Sequence, residues 1–242
     1  MTPFPNSLAE RPAPLMAFIP AGWFWMGSEG HYSWESPRRR LYIDAFEVAR
    51  TSVSRREYQR FLESAGHEEP RGWNDPAFSN PEQPVVGVSW RDAVAYCDWL
   101  SAGAGDRYRL PTEAEWEKAC RGGIDDADYA WGNDPPDTVT YFQGAWPAPR
   151  PVGEGPRNGF GLYHMGDNVH EWCADWFGAD YYAASPERNP AGPETGARRV
   201  SRGGSWRHHV KASRCAHRSS LCPDFRYTDY GFRLARTVAA GA

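Results

Sequence analysis

No apolar stretch in the 242 residues approaches the ~20 needed for a helix to span a bilayer. The first residues, Met1 to Leu15, carry prolines, Glu10 and Arg11 where a secretory signal would carry an apolar core. They read as a loose leader, and the expected location is cytoplasmic. A long run of one charge is also missing. Twenty-seven basic residues against 31 acidic ones give −4, and Arg38-Arg39-Arg40 is too short for a nucleic-acid arm. Neither nucleic acid nor an anionic membrane surface is therefore an expected partner. There is no internal repeat and no linker, so residues 16–238 are expected to form a single domain. Cysteine is scarce and odd in number, five in all, so at least one is free or paired elsewhere.

Glycine (24) and proline (21) are plentiful, almost a fifth of the chain against the usual share of about 12%. Twelve Trp, 12 Tyr and 11 Phe argue against disorder, because aromatic side chains bury large areas. The expected product is an α+β domain rich in loops and cemented by aromatics. Residues 16–50 alternate apolar and polar in bursts punctuated by Gly and Pro, a pattern of short strands. Three helices have start signals. Ser54-Arg55-Arg56-Glu57 is a capping box, with Tyr58, Phe61, Leu62 and Ala65 on one face and Gly66 at the stop. Ser89 opens a second helix with Ala93, Tyr96, Cys97 and Leu100 inward. Thr112-Glu113-Ala114-Glu115 opens a third, with Trp116, Ala119 and Cys120 inward. Beyond Gly123 the helical pattern fades into aromatic segments between Gly, Pro, Asn and Asp.

Seven strings then fall in order: Ile19-Pro20-Ala21-Gly22 with Trp25-Met26-Gly27; Arg109-Leu110-Pro111-Thr112-Glu113-Ala114-Glu115-Trp116-Glu117; Asn158-Gly159-Phe160-Gly161-Leu162-Tyr163; Asn168-Val169-His170-Glu171-Trp172; Arg202-Gly203-Gly204-Ser205-Trp206; Arg214-Cys215-Ala216 to Arg218; and Gly231-Phe232-Arg233. From about Phe18 to Arg236 the chain resembles the formylglycine-generating enzyme, or sulfatase-modifying factor, family. The resemblance implies a C-type-lectin-like fold with little regular secondary structure. It also implies oxidation of a sulfatase cysteine to formylglycine, with copper(I) held by two cysteine thiolates.

This sequence departs from the family at those thiolates. The family stretch is similar to Gly-Gly-Ser-Tyr-Met-Cys-His-Arg-Ser-Tyr-Cys. Here it runs Gly203-Gly204-Ser205-Trp206-Arg207-His208-His209-Val210-Lys211-Ala212-Ser213. His208 stands at the first cysteine, the second has no counterpart, and His209 matches a family histidine. His170 stands where the family has a groove-lining tryptophan. Soft copper(I) requires thiolates, whereas imidazole suits iron, copper, zinc or nickel. Cys120 and Cys215 match a disulfide pair of secreted members and are expected as adjacent thiols in a reducing compartment.

His170, His208 and His209 are the candidate catalytic residues. His170 and His208 are also the candidate ligands of a transition metal, iron or copper, the alternative being ordinary hydrogen-bonded histidines. Because neighbours on an extended segment point to opposite faces, only one of His208 and His209 is expected to enter a given site. Ser205, Trp206 and Arg207 are the candidate substrate contacts. The resemblance also implies a calcium ion held by His164, the carbonyls of Asp167 and Val169, and the Glu171 carboxylate, with the Asp167 side chain as a further oxygen. The alternative is that Glu171 organises the turn by hydrogen bonds. The family's other calcium site is not expected, Thr140 standing where it has Asn. Arg202, Arg214, Arg218 and Arg233 are expected to pair with carboxylates and stack on Trp.

Three functions follow. The first is a metal- and O2-dependent oxidase-like enzyme acting on a peptide or small thiol in a His-lined groove. The second is a non-catalytic C-type-lectin-like binding module, including retroelement variable proteins, which vary between the Gly-Gly-Ser-Trp and Gly-Phe-Arg anchors. The third is formylglycine generation on sulfatases.

Overall fold

The computed structural model describes residues 13–104, 106–134 and 147–238. Most of the leader and Thr140 lie outside them.

The capping signals act where expected. Helix α1, Arg55–Ala65, starts on Ser54, whose hydroxyl accepts from the Glu57 amide while Glu57 reaches back to the Ser54 amide. It stops at Gly66, whose left-handed φ of 63° glycine adopts at least steric cost. Tyr58 and Phe61 face inward, but Ala65 is exposed, because the helix has already left the core at its last turn. Helix α2, Trp90–Ala104, buries Ala93, Tyr96, Cys97 and Leu100 as its spacing predicts. Helix α3, Glu113–Cys120, carries the second capping box, from Thr112 and Glu115.

The strands are short. One sheet has the order β1 (Met16–Ile19), β4 (Phe46–Ala49), β10 (Ala235–Thr237), β5 (Tyr108–Arg109). A hairpin pairs β2 (Gly22–Met26) with β3 (Arg39–Ile43). The third sheet has the order β8 (Arg218–Leu221), β7 (Arg199–Arg202), β6 (His170–Trp176), β9 (Tyr230–Gly231). Its β6–β9 pair is parallel, so His170 lies level with Tyr230.

All eight residues of α3 are buried, which its apolar spacing does not predict. Its charges are tolerated because each meets a partner, several of them from far along the chain. Glu113 takes a two-pronged bond from Arg218 (2.7 and 2.9 Å), and Glu117 binds Arg121 (2.6 Å) and Arg202. Lys118 donates to the carbonyls of Pro20 (2.6 Å) and Gly22 (3.2 Å). Arg214 pairs likewise with Glu35 (2.7 and 2.8 Å) and Arg233 with Glu171 (2.6 and 2.8 Å). All four expected arginines are thus structural. An unpaired buried charge would be costly, so the pairs of Glu113 and Glu117 with Arg218 and Arg202 fix α3 against the third sheet.

One buried carboxyl, Asp175, accepts the Glu113 amide at 2.8 Å. Burial first, then the neighbouring Glu113 carboxylate, push its pKa up to about 8 from 3.8. The fold favours the protonated acid. That contribution to stability is complete below 3.8 and is lost as pH rises through about 8. Asp175→Asn, which mimics the neutral acid, is therefore expected to gain on the wild type as pH rises from about 5 to 8. Melting both proteins across that range checks it; a pH-independent difference between them would refute the assignment.

A candidate metal centre at the end of the third sheet

Three strand ends meet at one edge of the third sheet, and each delivers a polar side chain. His170 opens β6. The chain leaves β7 at Arg202 and turns through Gly203, at φ 77°. Gly204 lies so close to the preceding loop that a β-carbon would meet the Ser213 hydroxyl at 2.9 Å and the Gly166 carbonyl at 3.0 Å. Backbone bonds from Gly204 to Gly166 and from Trp206 to Asn168, both 2.8 Å, then seat the segment carrying His208. Asp229 immediately precedes β9, and its carbonyl accepts the His170 amide at 2.9 Å.

The side chains converge. His170 Nε2 lies 2.9 Å from His208 Nδ1, and His208 Nε2 lies 3.6 Å from an Asp229 oxygen. One donor atom from each residue falls within 4.8 Å of the others. Two ligands at right angles on an ion with ~2.1 Å bonds would be about 3.0 Å apart. His170 and Asp229 are buried, whereas His208 is 40% exposed along its side chain. Burial, opposed by Asp229, lowers the His170 pKa to about 3, and the same two influences act in the same order on His208. Burial thus favours the neutral form of His170, the one that ligates metal.

Asp229 is the residue that sequence reasoning missed. Its position just before the Gly231-Phe232-Arg233 anchor was the available signal, but only the parallel pairing of β9 with β6 brings it to the histidines. It also changes the reading of two expected substrate contacts. Ser205 is fully buried and donates to one Asp229 oxygen at 3.2 Å, while Arg207 holds the other at 2.6 Å. Both orient the carboxylate. Trp206 is half-buried against Phe78, with a ring separation of 6.2 Å. His209 does not join the cluster. It is exposed, and its Nδ1 accepts from the Lys211 amide at 3.2 Å, capping a 3-10 turn at Val210–Ser213.

The family's copper chemistry does not fit these residues. Cys120 and Cys215 do sit side by side, 3.2 Å between sulfurs, but both are fully buried in the core with Trp116 and Leu162. Burial, followed by the adjacent Cys215, raises the Cys120 thiol well above its ordinary range, which opposes thiolate formation. Cys173 is buried in the same core, Cys97 in a second one, and Cys222 is half-buried.

The carboxylates expected to hold calcium are engaged by protein donors. Glu171 accepts from Ser52 (2.8 Å), Trp116 (2.7 Å) and Arg233. Asp167 accepts from Arg150 at 2.6 Å, and one of its oxygens lies 3.1 Å from His164 Nδ1. His164 is buried at φ 52°, a left-handed conformation that His, Asn and Asp adopt more readily than most residues.

The architecture is that of an α+β fold of the formylglycine-generating type. A protein from Pseudomonas aeruginosa described as PvdO superposes with a TM-score of 0.82, at 27% identity over 98% of this chain and all of that one. Treponema denticola variable protein 1 superposes at 0.79, with 25% identity over 92% of this chain and 95% of that one. The model of the sulfatase-modifying factor enzyme 1-like domain matches residues 3–238, and the chain belongs to that family. The formylglycine-generating enzyme of Thermomonospora curvata is 34% identical over 96% of both chains, so the chain has relatives that are named as enzymes. Among the described residues, no helix is long and apolar enough to cross a membrane.

Proposed function

We propose that this chain is a metal- and O2-dependent oxidase-like enzyme acting on the thiol of a peptide or small molecule, with His170, His208 and Asp229 holding one divalent ion. The observation that carries this reading is the 2.9 Å approach of the two imidazoles beside a buried carboxylate. Two histidines and one carboxylate on one side of an ion, with other positions open, is the donor pattern of mononuclear non-haem iron. A bound metal would supply Lewis-acid and redox chemistry there. The protein's part is to keep His170 neutral, to hold Asp229 through Arg207 and Ser205, and to leave His208 partly open to an incoming thiol. Formylglycine generation through a copper-thiolate pair is disfavoured, because His208 replaces one thiolate and the buried cysteines do not supply another.

The test is the metal content of protein purified without chelator or affinity tag, beside His170→Ala and His208→Ala. Oxygen uptake is measured with simple thiols and with a Cys-x-Pro-x-Arg peptide followed by mass spectrometry. The reading expects roughly one ion per chain in the wild type, lost in both variants, with thiol-dependent oxygen uptake. Equal, substoichiometric metal in all three proteins ends it. A binding module is the second reading. It is favoured by the exposure of Arg207, His209, Lys211, Phe225 and Tyr227 between the two anchors, and by the likeness to the Treponema variable protein. Silence in both assays would select it.

A further inference from the structure

We propose that the Arg150 guanidinium takes the place that the family resemblance reserves for calcium, so that the loop from His164 to Glu171 is closed by a cation built into the chain. The side chains expected to bind calcium divide into two separate sets, each already served. A carboxylate has about four lone-pair positions. Those of Glu171 receive Ser52 Oγ at 2.8 Å, Trp116 Nε1 at 2.7 Å, and Arg233 Nε and Nη2 at 2.6 and 2.8 Å. Glu171 is 1% exposed, so no further ligand reaches it without displacing one of these.

Asp167 forms the second set. Its Oδ2 accepts from Arg150 Nη2 at 2.6 Å, and its Oδ1 lies 3.1 Å from His164 Nδ1, which is itself 3.1 Å from Arg150 Nη2. His164 Nε2 lies 3.2 Å from the Pro151 carbonyl. The guanidinium therefore sits between the two side chains expected to bind the ion. Its backbone is clamped as well. The Arg150 amide donates to Asn168 Oδ1, and Asn168 Nδ2 donates to the Arg150 carbonyl, both at 2.9 Å.

Calcium requires six to eight oxygens at about 2.3–2.6 Å. The Asp167 and Val169 carbonyls cannot complete such a shell once Glu171 and Asp167 are committed, and a nitrogen from His164 is a poor substitute. A divalent ion would also face the adjacent guanidinium charge at short range. The inference is independent of the proposed oxidase centre, which uses His170, His208 and Asp229.

The experiment compares melting temperatures of the full chain in excess EGTA and in about 1 mM calcium, for wild type and Arg150→Met. Wild type is expected to melt within about 1 °C in the two conditions, and Arg150→Met about 5–10 °C lower in both. Calcium titration of the wild type by calorimetry, which requires no variant to fold, is expected to show no saturable heat. A saturable rise in the wild-type melting temperature with calcium, or Arg150→Met melting with the wild type, would overturn the proposal.

Discussion

Replacing Arg233 with methionine is expected to destabilise the protein by about 3–5 kcal/mol, the range for removing one partner of a buried ion pair. Arg233 and Glu171 are 0% and 1% exposed, and two bonds of 2.6 and 2.8 Å join them. Arg233 also donates to the Ala49 carbonyl at 3.1 Å and the Tyr163 carbonyl at 3.0 Å. One side chain thus ties β4, the loop before His164 and the start of β6. Without it, the Glu171 carboxylate is left buried with no cation beside it. A loss of this size corresponds to a fall of roughly 6–20 °C in melting temperature for a domain of this length. Adding Glu171→Gln should recover part of the loss, because the orphaned charge goes with it. Chemical denaturation of the four proteins of this cycle checks the coupling. A loss below about 1 kcal/mol for Arg233→Met would show the pair to be energetically idle.

The second large effect is expected at Asp229. Under the proposed function, Asp229→Ala removes the only carboxylate of the ligand set. Losing an outer partner of a ligand costs about 10–100-fold in metal affinity, and losing a ligand should cost at least the upper end of that range. Arg207→Met, which frees one carboxylate oxygen, should fall within it. His209→Ala is the neutral comparison, because that ring is exposed and capped on a backbone amide. Metal titration monitored by calorimetry separates the four proteins. Wild-type affinity in Asp229→Ala would remove the carboxylate from the centre.

Much of this protein was legible in its sequence. The capping boxes at Ser54 and Thr112 are local chemistry, since every atom they need lies within four residues. The absence of the copper thiolates is visible at His208 by inspection. The pairing of four arginines with carboxylates followed from the family strings, although the partners did not: Arg202 and Glu117 are 85 positions apart, Arg214 and Glu35 179. Periodicity also left α3 half-exposed, because a hydrophobic pattern records which side chains are apolar and takes no account of charges neutralised by distant partners.

The sequence by itself determined the helix starts, the family and the loss of the thiolate pair. Only the tertiary structure decided which groups stand together. His170 and Asp229 share a site because β6 and β9 run parallel side by side, although 59 residues separate them by number. Ser205 and Arg207 became supports of that carboxylate, and Arg150 came to lie between His164 and Asp167. The meeting of His170 with Asp229 depends on strand order and register, which are set by the burial of the whole sheet and not by any local pattern of residues.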